Sequence, residues 1–326
     1  MLFHQSILVL LGICVIFLCI VEANPIIADD ENTDDLIDLS QYGTQMFGQP
    51  DSNIGDLIAE FMNFTESNPE EMGSYLEGDL LIPHGAPRNG IVGNSYRWPG
   101  AVIPYEVSNS FSSRARAMIV SQCLEAYHKQ TCIKFRPRTA SDKNYLVITN
   151  ERSGCWSSVG MNGGRQVLNL QESGCVTKVG TCIHEMMHAV GFLHEQTRTD
   201  RDSYVRVNYN NIRQGYENNF EKGKSGQIDA QGVGYDYGSV MHYNLNAFSK
   251  NGQPTMTVLK STTDNVGQRD GFSKKDVAKI NKMYKCNGKV SDASPESGGG
   301  GGINNFIDNI FGLVNNGEDA EEFIHP

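Results

Sequence analysis

After its first 23 residues the chain lacks any run of about 18 apolar residues, the length that a helix needs to cross a bilayer. It also lacks a lysine- or arginine-rich run or arm. We therefore expect no transmembrane anchor and no nucleic-acid partner, since nucleic-acid binding relies on clustered positive charge. No cysteine pair has the Cys-x-x-Cys spacing, which argues against a structural zinc knuckle.

Basic residues are scarce at both ends of the chain. Residues 24–88 contain fourteen acidic residues and one basic residue, and residues 287–326 contain seven acidic residues and one basic residue. Residues 89–286, in contrast, contain twenty-five basic and sixteen acidic residues, within a chain of net charge −11. This pattern indicates a basic central domain that an acidic segment could cover and that could later attract acidic substrates. Solubility alone is the alternative explanation.

Residues 1–23 contain an apolar run from Ile7 to Val21 that ends near a small residue, Ala23. This pattern predicts a secretory signal peptide, although no Lys or Arg precedes the run. A signal anchor is the alternative, but the run is short for a spanning helix. Six cysteines follow the predicted signal, and an even number in a secreted chain is typical of disulfides. We expect an extracellular protein.

The residues that carry chemistry lie between His184 and His194. His184 and His188 are four residues apart, so a helix places both imidazoles on one face. Gly191 permits the chain to leave that helix sharply, which returns His194 as a third ligand. Three neutral imidazoles and an open position make a catalytic rather than a structural zinc site. Glu185, beside the first ligand, is placed to act as general base toward a water on the metal.

The wider pattern resembles a known family. The stretch H-E-M-M-H-A-V-G-F-L-H-E-Q-T-R-T-D-R-D begins at His184, and S-V-M-H-Y follows at residues 239–243. Together they resemble the astacin family of zinc metalloendopeptidases, which belongs to the metzincins. The resemblance covers about residues 89–286 and implies hydrolysis of peptide bonds in proteins with one catalytic zinc. A non-catalytic binding module is the competing class, but the complete set of histidines with Glu185 argues against it.

The resemblance also implies a fold and further roles. The expected fold is α+β: a two-lobed metzincin protease domain whose twisted, mostly antiparallel sheet carries the zinc helix above a loop-rich lower lobe. Met241 would form the base beneath the metal. Tyr243 would be a further zinc ligand that swings away to stabilise the oxyanion. Glu195 and Tyr243 favour this family over other metzincins. Residues 155–160 should form a cleft rim that takes a peptide as an antiparallel strand.

The resemblance selects two disulfides among the six cysteines, Cys132 with Cys286 and Cys155 with Cys175. The remaining two depart from the family's core pattern, and we expect them to pair. Two free, buried thiols are the alternative. The two cysteines in question, which would form this third disulfide, are Cys123 and Cys182.

Residues 24–88 are predicted to be an inhibitory prosegment, in which residues 56–64 have the apolar spacing of a short helix. A motif in astacin zymogens places its aspartate on the zinc, and a similar stretch occurs here, Tyr75-Leu76-Glu77-Gly78-Asp79. By this resemblance Asp79 would take the place of the zinc-bound water. The alternative is a surface turn. Arg88 offers a cut to a trypsin-like activating protease, which would make Asn89 the new amino terminus. In the family that terminus pairs with the glutamate after the third histidine, which here is Glu195. The alternative is that Glu195 lies on the surface.

Three further features complete the expectations. Arg269, in Val-Gly-Gln-Arg, is similar to an arginine that faces the pocket for the residue after the cut, which predicts a preference for acidic residues there. The alternative is that Arg269 only holds its loop. Asn63 lies in the glycosylation sequon Asn-Phe-Thr. Residues 287–326 combine a glycine-rich linker with an amphipathic or disordered tail.

Overall fold

The computed structural model describes residues 47–60, 67–83, 96–223 and 231–286. Four predicted features lie outside these ranges: the signal peptide of residues 1–23, the sequon at Asn63, the cleavage site between Arg88 and Asn89, and the tail of residues 287–326. Within the described ranges, no helix combines the length and apolar character needed to cross a membrane.

The upper lobe is built on a five-stranded sheet in the order β4-β3-β5-β7-β6. Its strands are β3 (Val102–Val107), β4 (Lys134–Pro137), β5 (Tyr145–Thr149), β6 (Cys155–Ser157) and β7 (Arg165–Leu170). Three of its four pairings are parallel, and only the edge strand β6 runs antiparallel to its neighbour.

The prediction of a mostly antiparallel sheet was therefore wrong. The connection from β3 to β4 passes through a long helical segment, and such a crossover returns the chain beside the first strand in the same direction. This segment consists of α2 (Ser113–Met118), a π-helical stretch (Ile119–Leu124) and α3 (Glu125–Gln130). The Ser112 side chain caps its first turn by accepting from the Ala115 N–H.

Helices of the upper lobe pack on the sheet and close its core. After the short α4 (Glu172–Cys175), the zinc helix α5 (Val179–Val190) is buried along nearly all of its length. The Tyr127 hydroxyl of α3 donates to the Ile183 carbonyl of α5 at 2.8 Å. The Trp98 indole donates to the Ala189 carbonyl at 2.8 Å. These contacts fix α5 in its place relative to the sheet.

The lower lobe has little regular structure, as predicted. It contains short 3-10 turns, an antiparallel pair formed by β8 (Val205–Val207) and β9 (Met256–Val258), and the last helix α6 (Lys274–Met283). Its small core is aromatic and includes Phe220, Tyr243 and Phe248.

The cysteines agree with the sequence analysis in two of three pairs. The disulfides Cys132–Cys286 and Cys155–Cys175 are both formed. The prediction of a third bond was wrong, because Cys123 and Cys182 are free, buried thiols. The Cys123 thiol donates to the Val179 carbonyl at 3.9 Å, and burial, with Cys123 beside it, raises the pKa of Cys182 well above its ordinary value. The two thiols are therefore buried close together without being joined.

An N-terminal portion of the chain lies against both lobes. It begins with β1 (Phe47–Gly48) and α1 (Ser52–Glu60), and β1 pairs in parallel with β2 (Ile82–Pro83). The helix begins four residues before its predicted start at 56. We call residues 67–83 the cleft segment, because they run between the edge strand β6 and the lower lobe.

Candidate metal centre

The three histidines converge because α5 ends where the sequence predicts. Gly191 takes a φ of +124°, a backbone conformation that side-chain-bearing residues rarely adopt, and its N–H closes the last turn of the helix. The chain then returns His194 to the helix face that carries His184 and His188. The Nε2 atom of His184 lies 3.2 Å from that of His188 and 3.3 Å from that of His194.

Each imidazole is oriented through its other nitrogen. The Nδ1 atom of His184 donates to the Val240 carbonyl at 2.8 Å, and that of His188 donates to the Phe192 carbonyl at 2.7 Å. The Nδ1 atom of His194 donates to the Glu77 carboxylate at 2.8 Å. A proton on Nδ1 leaves the Nε2 lone pair free, so all three rings present a neutral ligand atom to one point.

Asp79 of the cleft segment reaches the same point. Its Oδ2 atom lies 3.0 Å from His184 Nε2 and 3.2 Å from His194 Nε2, and its Oδ1 atom lies 3.4 Å from His188 Nε2. Burial raises the pKa of Asp79, but its contacts with His194 and His188 hold that pKa well below its ordinary value of 3.8. All four ligand atoms lie within 4.8 Å of one another. The predicted position of Asp79 at the metal centre is thus the observed one.

Glu185 supplies the test of whether these residues fit a metal ion. The side chain is buried, and among the described residues neither carboxylate oxygen has a hydrogen-bond partner. Burial, and then the charge of Asp79, raise the pKa of Glu185 well above its ordinary value. A buried carboxylate without a partner is costly unless a cation or a bound water satisfies it. Three imidazole nitrogens with an adjacent carboxylate fit one catalytic zinc ion.

Met241 and Tyr243 lie beside the histidines on one turn of the lower lobe. Met241 is buried, and its carbonyl accepts from the Glu195 N–H at 3.0 Å. The Tyr243 ring packs on His194 with 4.6 Å between ring centroids. Its hydroxyl donates to the Glu77 carbonyl at 2.6 Å. With the cleft segment in place the hydroxyl is therefore engaged there, and its role as a zinc ligand stays a prediction.

The edge strand β6 holds the cleft segment rather than a substrate. The Ser157 N–H donates to the Asp79 carbonyl at 2.9 Å, and the Leu81 N–H donates to the Ser157 carbonyl at 3.0 Å. Leu80 and Ser157 form a parallel bridge. The rim is therefore an edge that binds extended chain. Here the cleft segment occupies it in the parallel direction, whereas a substrate peptide is predicted to bind antiparallel.

Glu195 is buried and already neutralised. Its carboxylate pairs with Lys279 of α6 and with Arg198 at 3.0 Å, and it accepts from the Asp236 N–H at 2.8 Å. Sequence reasoning missed Lys279, which only a contact between distant elements reveals. The predicted partner of Glu195, the amino group of Asn89, lies outside the described residues, so that pairing stays a prediction.

Arg269 is buried next to the zinc helix. Its NH1 donates to the Gln268 carbonyl at 2.8 Å and to the His242 carbonyl at 3.2 Å. Its Nε donates to the carboxylate of Glu70 in the cleft segment. Sequence reasoning did not single out Glu70 or its neighbour Glu71. Their acidic pair, shortly before the Gly-Asp motif, is the one signal that could have drawn attention to them.

Comparison with known proteins agrees with this geometry. The model of the astacin peptidase family matches residues 91–285. Zinc metalloproteinase nas-4 of Caenorhabditis elegans is 42% identical over 226 residues, covering 67% of this chain and 71% of that protein. Human Meprin A subunit beta is 41% identical over 217 residues, covering 66% of this chain and 30% of that protein.

A second nematode relative is more similar but much longer. Zinc metalloproteinase nas-15 of Caenorhabditis elegans is 47% identical over 213 residues, which are 64% of this chain. The chain spans 36% of the length of nas-15 and 44% of the length of nas-13.

A solved structure shares the fold. High choriolytic enzyme 1, a hatching enzyme zinc-protease from the medaka Oryzias latipes, superposes with a TM-score of 0.54 at 37% identity. The match covers 58% of this chain and 93% of that one. Because the family match extends through both lobes and through every residue of the histidine site, the chain belongs to the astacin family of zinc metallopeptidases.

Proposed function

We propose that the protein is a secreted zinc endopeptidase that cleaves peptide bonds in other proteins. The observation that carries this proposal is the buried Glu185 carboxylate, which lies without a hydrogen-bond partner among the described residues beside three convergent imidazoles. The predicted signal of residues 1–23 and the two formed disulfides support secretion. The predicted glycan at Asn63 fits the same compartment.

The chain's own residues divide the work of peptide hydrolysis. His184, His188 and His194 would hold a zinc ion, which would supply Lewis acidity for activating water. Glu185 takes a proton from the attacking water on its carboxylate and returns it to the leaving amine. Tyr243, once released from the Glu77 carbonyl, donates its hydroxyl to the carbonyl oxygen of the scissile bond. The edge strand containing Ser157 holds the substrate backbone.

Replacing Glu185 with alanine tests this assignment. Glu185→Ala should still bind one zinc, because all three imidazoles remain, while peptide turnover falls by at least about 10²-fold, the range for loss of a general base. Glu151→Ala, an exposed carboxylate of the same lobe, is the control and should keep its turnover. Metal analysis that gives one zinc together with wild-type turnover in Glu185→Ala would refute the role. A chelator should also stop turnover, whereas a serine-protease inhibitor should not.

We propose further that residues 24–88 form an inhibitory prosegment, that residues 89–286 form the catalytic domain, and that a trypsin-like protease activates the enzyme between Arg88 and Asn89. The support is Asp79, which fills the point where the three imidazoles meet. Asp79→Ala should give an uncut chain with measurable turnover, whereas Glu60→Ala, exposed on α1, should stay latent. Equal turnover by uncut and trimmed wild-type enzyme would disprove the latency.

The third part of the proposal concerns substrate choice. Arg269 offers a buried, planar guanidinium beside the zinc helix, and such a group favours a carboxylate. We infer a preference for Asp, then Glu, just after the cut. Arg269→Ala should lower kcat/KM for Asp peptides by about 1.5–3 kcal/mol, the range for a hydrogen bond to a charged group. Matched peptides with Ala in that position should change little. An equal loss for both peptides would remove Arg269 from the pocket.

A further inference from the structure

The Arg269 guanidinium presents two different edges. Its NH1 is fixed by the carbonyls of Gln268 and His242, and its backbone carbonyl accepts from the Gly180 N–H at 3.1 Å. Its Nε and NH2 point toward the cleft segment, and both the arginine and the Glu70 side chain that meets it have no exposed side-chain surface. The donors are thus held in place by the catalytic domain, and a carboxylate from elsewhere fits against them.

The cleft segment delivers that carboxylate in an ordered turn. Residues Pro69–Met72 form one 3-10 turn that begins after Asn68. The Asn68 side chain donates to the Gly267 carbonyl at 3.0 Å and to the Glu71 carboxylate at 2.9 Å. Glu71 also accepts from the Asn244 N–H at 2.7 Å. The turn and these two contacts with Gly267 and Asn244 hold Glu70 beside Arg269.

Of the two adjacent carboxylates, Glu70 is the partner of Arg269. Glu71 lies 3.7 Å from Arg269 NH2, beyond hydrogen-bonding distance, whereas Glu70 accepts directly from Nε. Burial raises the pKa of Glu71 to about 7. The charge of Arg269 lowers this pKa, and the charge of Glu70 raises it further. A buried guanidinium needs a paired charge, and leaving it alone costs several kcal/mol. Glu70 therefore meets a requirement that a substrate carboxylate would meet after the segment leaves.

We propose that Glu70 occupies the specificity pocket of Arg269 as a stand-in for the acidic side chain of a substrate, and so gives the cleft segment a second anchor that does not depend on the metal. The inference rests on the proposed role of Arg269 in substrate choice. Asp79 and Glu70 then hold the segment at two separate points, one at the histidines and one at the pocket. The same ligand chemistry, a carboxylate on Arg269, serves first for latency and then for recognition.

Hydrogen exchange on the full-length chain tests the second anchor. With the metal removed by a chelator, amides of residues 67–83 should exchange about 10- to 100-fold faster in Glu70→Gln than in wild type, the range for losing a charge-assisted hydrogen bond. Glu60→Gln, exposed on α1, should match wild type. Glu70→Asp, which keeps the charge with a shorter side chain, should fall between them. Unchanged exchange in Glu70→Gln would overturn the proposal.

A double substitution shows whether Arg269 is the partner. In Glu70→Gln combined with Arg269→Ala, the effect of the Glu70 change should disappear, because the group that it contacts is gone. Additive effects would overturn the proposal. If trimmed enzyme prefers acidic substrates but the two substitutions do not couple, the anchor is wrong and the proposed specificity stands. If they couple but trimmed enzyme shows no acidic preference, the specificity is wrong and Glu70 is not a substrate stand-in.

Discussion

At the scale of single residues, Gly180 in the first turn of the zinc helix is closely confined. A Cβ built there would lie 2.1 Å from the carbonyl carbon and 2.2 Å from the carbonyl oxygen of Arg269. Both are backbone atoms, so either the start of the zinc helix or the loop that carries Arg269 would have to move. The missing side chain thus lets the zinc helix and the loop that carries Arg269 touch.

We therefore expect Gly180→Ala to lower the free energy of unfolding by at least about 2 kcal/mol, within the range for overpacking. Gly234→Ala is the matched control, since a Cβ there meets no atom within 4 Å. Denaturant unfolding of the full-length chain measures both variants. Equal denaturant midpoints for Gly180→Ala and Gly234→Ala would show that the loop can move without a loss of stability.

Roles that follow from local spacing could be predicted from the sequence. The helix period places His184 and His188 on one face, and the Gly-Asp motif marks Asp79, so the metal centre could be predicted. The pair formed by Glu70 and Arg269 could not, because its members are 199 positions apart and neither lies in a pattern that names the other. Contacts of that kind depend on how the whole chain packs.

At the scale of elements, α6 is joined to the turn that carries Met241. Asp276 closes the capping box of the helix, where its carboxylate accepts from the Ser273 N–H at 3.0 Å. The same carboxylate accepts from the Ser239 hydroxyl at 2.6 Å and from the Val240 N–H at 2.9 Å. One buried side chain therefore fixes the start of a helix and the turn whose Val240 carbonyl accepts from His184.

Removing that carboxylate should weaken both elements. Asp276→Ala leaves buried donors without partners, and we expect it to lower the free energy of unfolding by about 2–4 kcal/mol. Asp270→Ala, an exposed carboxylate shortly before α6, should stay within about 0.5 kcal/mol of wild type. Thermal unfolding with both variants compares them directly, and a similar small effect for each would contradict this role.

The elements also show where sequence patterns are insufficient. Short runs rich in apolar, β-branched and aromatic residues form β3 and β5, but such a run reads the same whichever way the strand points. Strand direction follows from the connections, and the helical crossover between β3 and β4 makes them parallel. Runs of this kind indicate where strands lie, whereas the predicted antiparallel direction of the sheet was wrong.

At the scale of the whole molecule, the disulfide Cys132–Cys286 joins the upper lobe to the end of the domain across a sequence separation of 154 residues. Cys155–Cys175 spans only 20 residues. A longer closed loop removes more entropy from the unfolded chain. Replacing both members of the long pair with serine should cost about 4–5 kcal/mol, and of the short pair about 3 kcal/mol. Denaturant midpoints of the two double variants that fall in the opposite order would contradict this ranking.

Metal removal should also act on the molecule as a whole. A ligand that binds only the folded state stabilises it, by about 4 kcal/mol when its concentration is about a thousand times its Kd. We expect zinc to raise the unfolding temperature of metal-free wild type and of Glu185→Ala, which keeps all three imidazoles. His188→Ala, which loses one ligand, should respond weakly. An equal response in all three variants would place the stabilising zinc elsewhere.

The burial of the cleft segment affects the time course expected for activation. Between Asn68 and Ile82 all residues except Met72 and Ser74 are buried, and proteases cut exposed chain. In the proposed activation, the cut between Arg88 and Asn89 and the departure of the segment would therefore be successive events with separate rates. Two buried carboxylates must leave their partners after the cut, so activity should appear after a lag that excess activating protease does not shorten. Activity that rises in step with cut chains on a gel would show that departure is immediate.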